Sequence, residues 1–330
     1  MKKVWALCLC GVMLFSLGGC KEKNETSDPS TEQSNAGEST PVSRKLGLGT
    51  VTTVTASDKK DKNRVKATVA AVVVGADGEI ADCEVDELAF DVTLQNGLAQ
   101  QVADLMSKGE MGDRYRPTAD EMGGKQNSDS WEDQVEAFCD FVEGKTGAQV
   151  SAVAATDGKT EQIPGCDLVV TDFIQAVRQA ADAATDHKIG GGDDLHLALT
   201  ASQSDSAEGT KPRFDVEIAA LTLDAGDRIT ACITDTLEVG LTVSEGVFAT
   251  VAGVVQTKRE MKESYGMKEA SPIKKEWYQQ ADAFSAWAVG KTADGLAGLE
   301  LKDGKTDAIS GCTIAVGGML KNAVKAARED

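Results

Sequence analysis

A chain of 330 residues with 41% hydrophobic content carries enough apolar material for two or three ordinary domains. Its formal net charge of -19 argues against a nucleic-acid partner, which clustered Lys and Arg would have to hold. The acidity itself speaks only for solubility.

Residues 1–19 read as a processing segment: Lys2 and Lys3 form a charged start, Val4 to Leu17 an apolar run, and Leu17-Gly18-Gly19-Cys20 a small-residue cleavage end. The last four residues resemble the lipobox of bacterial lipoproteins. That resemblance implies cleavage before Cys20, lipidation of Cys20 and anchoring to the extracytoplasmic face of the cell membrane. Cleavage removes two lysines and no acids, taking -19 to -21. No later apolar run has the length of a membrane span. Residues 20–44 are rich in Ser, Thr, Asn, Glu and Lys without apolar periodicity, as in a disordered tether with a root-mean-square reach of roughly 27 Å.

Beyond the tether the chain repeats itself. From Leu46 to Gly97 each residue can be laid on the one 149 positions later, with Leu48 on Leu197, Ala70-Ala71 on Ala219-Ala220, Cys83 on Cys232 and Asp86 on Asp235. Further on the offset is 146, with Trp131 on Trp277, Phe138 on Phe284 and Cys166 on Cys312. Two copies of one domain follow, 45–184 and 195–330, joined by the Gly-rich linker 185–194. Both histidines, His187 and His196, fall in or beside that linker and are expected to be solvent-exposed.

Each copy predicts the same elements. Lys66 to Val74 and Phe214 to Leu223 are β-branched runs suited to buried strands. Turns at Ala76-Asp77-Gly78-Glu79 and Ala225-Gly226-Asp227-Arg228 lead to return strands at Ile80 to Val85 and Ile229 to Thr234. A further alternating strand covers Phe90-Val92-Leu94 or Val239-Leu241-Val243. Trp131, Val135, Phe138 and Val142, and likewise Trp277, Ala281, Phe284 and Ala288, recur at i, i+4, i+7 and i+11, so each set shares one helix face. Gly144 and Gly290 are placed as C-terminal caps. Closing helices are expected over about Asp167 to Ala183 and Ile314 to Ala327. The predicted class is α+β, two tandem antiparallel sheets covered by helices.

Several chemistries are argued against. Gly144-Lys145-Thr146 and Gly290-Lys291-Thr292 lack the preceding P-loop glycine, with Cys139 and Ser285 in its place, and no strand before or helix after is expected. No CxxC spacing or His cluster supports zinc or iron–sulfur ligation, and no Ser-His-Asp arrangement is available. Asp82, Asp86 and Asp235 read as solvated strand positions. Trp277, Tyr278 and Trp287 read as core rather than cofactor-stacking residues. Cys83 with Cys166, and Cys232 with Cys312, occupy matched positions. In an extracytoplasmic chain this suggests one disulfide per copy with Cys139 left free, against the alternative of buried free thiols.

The sharpest clue is Asp307-Ala308-Ile309-Ser310-Gly311-Cys312-Thr313, a small-residue turn before an expected helix start, where unpaired N–H groups can hold a phosphate. Its copy-one counterpart, Glu161-Gln162-Ile163-Pro164-Gly165-Cys166-Asp167, carries an acid in place of the final threonine. The copy-two stretch resembles the Asp-x-x-Ser/Thr-Gly-Ala-Thr signature of the FMN-binding domain, found in flavin-carrying subunits of respiratory complexes and in flavinylated extracytoplasmic lipoproteins. The resemblance implies FMN joined through a phosphoester to Thr313 by a separate flavin transferase that reads Asp307, Ser310 and Gly311. It also implies a redox partner and a role in electron transfer rather than catalysis. Cys312 replaces the family's Ala, and Asp167 would repel a phosphate, so copy one is expected to carry no flavin. The alternative is a non-catalytic binding or structural lipoprotein of the cell envelope built on a degenerate version of the fold.

Overall fold

The computed structural model describes residues 43–125, 129–205, 209–249 and 253–328. The signal segment, Cys20 and all of the tether but its last two residues lie outside them. Uninterrupted Val, Thr and Ala runs build three long antiparallel strands in each copy, giving an α+β architecture. In copy one these are β1 (Arg44–Ala56), β2 (Lys62–Val74) and β3 (Ile80–Gln95). In copy two they are β6 (Asp194–Asp205), β7 (Pro212–Leu223) and β8 (Ile229–Gly240). Register runs from Lys45 opposite Val74 to Ala56 opposite Asn63, and matches from Asp194 opposite Leu223 to Asp205 opposite Pro212.

The return strand and the further strand expected in copy one are a single strand, β3, because no turn residue interrupts the apolar alternation between Val85 and Phe90. In copy two Gly240 ends β8, and Val243–Ser244 (β9) instead pairs with Val247–Phe248 (β10). Small strands complete the sheets. Leu98–Ala99 (β4) pairs with β3, and Thr185–His187 (β5) and Gly253–Val254 (β11) both pair with β1. The Gly-rich linker therefore begins as a strand, and His187, like His196 in β6, is only half-exposed rather than solvent-exposed.

Helices α2 (Trp131–Val142) and α6 (Trp277–Ala288) bury the faces that the spacing indicates, with Trp131, Phe138, Trp277 and Phe284 at most 3% exposed. Gly144 and Gly290 end them at φ +73° and +82°, and their N–H groups donate to Ile80 O (2.8 Å) and Ile229 O (2.7 Å). The helix end is thereby tied to the sheet. Short helices do follow the Gly-Lys-Thr turns, contrary to expectation: α3 (Gly147–Ser151) and α7 (Ala293–Ala297), capped by Thr146 and Thr292. Lys145 and Lys291 turn back onto the carbonyls of Phe141 and Trp287, so no phosphate loop forms. The short helices α1 (Lys108–Met111) and α5 (Lys258–Met261) and the closing helices α4 (Thr171–Ala183) and α8 (Gly317–Ala326) complete the set. The closing helices start later than expected, because Val170 N and Val316 N donate to Gly158 O and Gly304 O (2.7 Å each) and hold the preceding residues bent.

Helices cover only the outer face of each sheet; the inner faces meet. Val65, Ala67, Leu88, Phe90 and Val92 of copy one share a buried cluster with Phe214, Val216, Ile218, Leu237 and Val239 of copy two. Phe90 and Phe214 lie 4.7 Å apart between ring centroids. The matched glycines Gly97 and Gly246 face each other so closely that a Cβ on Gly97 would lie 3.0 Å from Gly246 Cα. Segments also cross between copies: β11 extends the copy-one sheet, while Val102 N donates to Gln203 Oε1 (2.8 Å). Because this core belongs to both copies, Phe214→Ala is expected to cost about 3–5 kcal/mol. The loss should appear in calorimetry as one transition moving to lower temperature; two separate transitions would contradict a shared core.

Candidate functional site

Gln280, wholly buried on α6, organises the turn that carries Thr313. Its Oε1 accepts from the Thr313 backbone N–H (2.9 Å) and hydroxyl (3.0 Å). Its Nε2 donates to Ser271 Oγ (3.2 Å) and Lys275 O (3.1 Å). One buried amide thus fixes two loops to one helix. Copy one keeps half of this clamp, Gln134 Oε1 accepting from Asp167 N (2.9 Å). There Gln134 Nε2 has no partner. The turn bonds Met122 N to Thr118 O (3.1 Å) and Ser271 N to Met267 O (2.9 Å) equate Met122 with Ser271, so a thioether chain stands where copy two has its acceptor hydroxyl. The sequence signal for these residues is a polar residue three positions after each matched Trp, in the middle of an apolar helix face.

Thr313 lines a cavity of about 340 Å³ together with Lys258, Tyr265, Met267, Trp277 and Ile314. Asp307 does not join it. It lines a neighbouring cleft of about 370 Å³ with Lys302, Lys305 and Thr306, and Lys305 borders both. Asp307 and Ser310 are exposed, and Gly311 takes φ +80° beside the Lys275 ammonium, 2.8 Å from where a Cβ would stand. Thr313 is not at a helix start. Three residues separate it from Gly317, so the free N–H groups of α8 are not the phosphate cradle that was expected. Trp277 is core, as read, yet also walls the cavity.

The disulfides expected for Cys83 with Cys166 and for Cys232 with Cys312 are not formed; these four and Cys139 are free and buried. The Cys83 thiol meets Cys139 rather than Cys166, and Cys232 meets Ser285, the residue matching Cys139. Cys166 and Cys312 turn instead toward the backbone N–H groups of Leu168 and Ile314. Asp86 and Asp235 are buried rather than solvated, and burial pushes their carboxyls up. Each caps a short helix. Asp86 Oδ1 accepts from Gly109 N (2.8 Å) and Asp235 Oδ1 from Arg259 N (3.1 Å).

Asp86 and Asp235 thereby place the next feature, a lysine at the first position of α1 and α5 that escaped sequence reasoning because it looks like a surface residue. Lys108 is 2% exposed. Its ammonium lies 5.1 and 5.6 Å from the Tyr115 and Trp131 ring centres, pairs with Glu87 (2.5 Å), and also pairs with Glu121. Glu121 further accepts from the Tyr115 hydroxyl (2.8 Å). In copy two Lys258 stands over Tyr265 and Trp277 at 5.6 and 5.5 Å, but its ion-pair partner is Glu238 (2.9 Å), which reaches the surface. Thr236 occupies the place of Glu87. The carboxylate has moved to the facing strand, where the part-buried Glu217 accepts from Thr236 (2.8 Å) just as the buried Glu87 accepts from Thr68 (2.8 Å). No His, Cys, Asp and Glu grouping among the described residues could hold a metal. Set against protein-family models, curated proteins and solved structures, the chain matches none of them.

Removing Lys108 strands two carboxylates, one of them buried, so Lys108→Ala is expected to cost about 3–5 kcal/mol in urea unfolding. Lys258→Ala, losing a partly exposed partner, should cost about 1 kcal/mol. Burial alone would raise the Glu121 carboxyl, but Lys108 and the hydrogen bonds around it hold it down to about 2, against an ordinary value of 4.5. A depressed carboxyl adds stability above its unfolded value that is lost as pH falls toward its folded value. Glu121→Gln should therefore remove part of the stability loss between pH 4.5 and about 2, measured by thermal melts across that range.

Proposed function

We propose that the chain is a lipid-anchored extracytoplasmic electron carrier, tethered through Cys20, whose copy two carries FMN joined by its phosphate to Thr313. The observation that carries this reading is a part-exposed threonine hydroxyl at the wall of a cavity that also offers Tyr265, Trp277 and Met267 to a planar ring and Lys258 and Lys305 to negative charge. At about 340 Å³ the cavity falls at the small end of the roughly 300–1,000 Å³ typical of small-molecule sites. When bound, the isoalloxazine ring supplies the electron transfer. The protein's own residues do the positioning. Gln280 fixes the Thr313 oxygen by accepting its hydrogen bond, and Trp277 and Tyr265 form part of the cavity wall. Exposed Asp307 and Ser310 suit a recognition sequence that a separate transferase must read from outside.

Copy one fits the alternative role, a structural half without flavin. Asp167 stands at the acceptor position and is itself paired with Lys125 (2.6 Å). Production of the full precursor in a host with a flavin transferase is expected to give a fluorescent band in denaturing gels and one FMN added on the Thr313 peptide. Thr313→Ala should abolish both, and Cys20→Ser should release the protein from the membrane fraction. An unmodified Thr313 peptide under those conditions removes the flavin reading.

A further inference from the structure

Copy one already contains a bound anion, and that anion is part of the chain. Lys108, Tyr115 and Trp131 surround the Glu121 carboxylate: the ammonium pairs with it, the phenol donates to it, and the indole backs the ammonium. Lys258, Tyr265 and Trp277 repeat this box with nearly the same ring-to-ammonium distances. The turn bonds that equate Met122 with Ser271 equate Glu121 with Ala270. Ala270 and Ser271 both line the copy-two cavity, as do all three residues of the box. The cavity therefore occupies the place that Glu121 fills in copy one.

The surrounding cations differ in the same sense. In copy one Lys125 pairs with Asp167 (2.6 Å), and Lys159 donates to Gly123 O (2.7 Å). In copy two Lys305, which matches Lys159, borders the cavity, and Lys275 stands at the Thr313 turn beside Gly311. Neither ammonium has a carboxylate or carbonyl partner among the described residues. The Tyr265 hydroxyl likewise has no hydrogen-bond partner there. The one carboxylate paired with Lys258, that of Glu238, is shared with Arg213. Glu217, part-buried nearby, bonds Thr236, packs against Gly318 and lies within electrostatic reach of Lys258 without a direct ion pair. Lys258, Lys305 and Tyr265 line a space with no carboxylate in its wall, Lys275 stands outside it at the Thr313 turn, and the buried Glu276 carboxylate lies behind Met267, bonded to Met267 N (2.9 Å) and Lys268 N (3.1 Å). A part-buried ammonium backed by two aromatic rings gains most from an oxyanion placed against it.

We infer that the copy-two cavity is an oxyanion site, built on Lys258 and Tyr265 and assisted by Lys305 and Lys275, whose ligand is a phosphomonoester, and that Glu121 is the built-in occupant of the same site in copy one. The site is the one proposed for FMN, and the inference extends that reading by naming the residues that meet the ligand's charge. It does not require the ligand to be a flavin.

The test is thermal unfolding and isothermal titration of the full mature protein, made without a flavin transferase, against inorganic phosphate, FMN and riboflavin. Phosphate and FMN are expected to bind and to raise the melting temperature, and riboflavin to do so weakly. Lys258→Gln should weaken FMN binding about 10- to 100-fold, the worth of one charge-assisted hydrogen bond. Ala270→Glu should install the copy-one plug and abolish binding. If Ala270→Glu does not fold, Lys258→Gln decides alone, and an unchanged FMN affinity in it overturns the inference. Riboflavin binding as tightly as FMN overturns the oxyanion site while leaving the flavin reading intact. Phosphate binding without any FMN binding removes the flavin reading and supports the oxyanion site. No response to phosphate or FMN overturns both.

Discussion

The inner faces of the two long-stranded sheets are predominantly apolar, and burying them against each other is the constraint on which the rest of the molecule depends. Phe90, Phe214, Val65 and Val216 leave no room between the copies for a ligand, and the Gly97 and Gly246 backbones nearly touch. Chemistry is thereby confined to the outer face, where helices cross the sheet and loops fill the gaps. It also explains why strands cross between copies. An edge left open by a three-stranded sheet exposes unpaired backbone groups, and β11 covers that of copy one with residues from copy two.

On that outer face the two copies solve one electrostatic problem in opposite ways. A lysine at the first turn of a short helix is pinned between two aromatic rings because Asp86 or Asp235 caps that helix from the sheet. Once desolvated, its charge must be met nearby. Copy one meets it inside, with Glu87 and Glu121. Copy two moves the carboxylate one strand over to Glu217, substitutes Ala270 for Glu121, and leaves Lys258 with a partner at the rim. The Thr68–Glu87 and Thr236–Glu217 bonds are the same length with donor and acceptor strands exchanged. Such an exchange keeps the cross-strand hydrogen bond while taking the carboxylate out of ion-pair contact with the lysine.

Periodicity made the fold class, the paired helix faces and the repeat legible, since burial of Trp131, Phe138, Trp277 and Phe284 follows directly from their spacing. Thr313 stands out only through the signature that its turn resembles. Periodicity does not locate the cavity, because the residues that shape it have the wrong appearance in a linear reading. Lys258 looks like a solvated helix residue until Asp235 and the aromatic pair are known to bury its stem, and Gln280 looks like an interruption of an apolar face. A polar residue on a strand is usually solvated, but a helix end sits over each of Asp86 and Asp235. Nothing local in residues 313–316 announces the long-range bond from Val316 N to Gly304 O that delays the closing helix.

That bond also settles what Cys312 does to the turn. A bridge between Cys312 and Cys232 would tie the turn to the sheet. Cys232 instead lies against Ser285 of α6, and the Cys312 thiol is buried among the apolar residues that close copy two. With Val316 tied back to Gly304 and Thr313 to Gln280, the backbone between them has two fixed points. Cys312, just before the Thr313 anchor, is buried, while the adjacent Thr313 borders the cavity. The thiol fills apolar space behind the turn, and the hydroxyl beside it stays on the cavity wall.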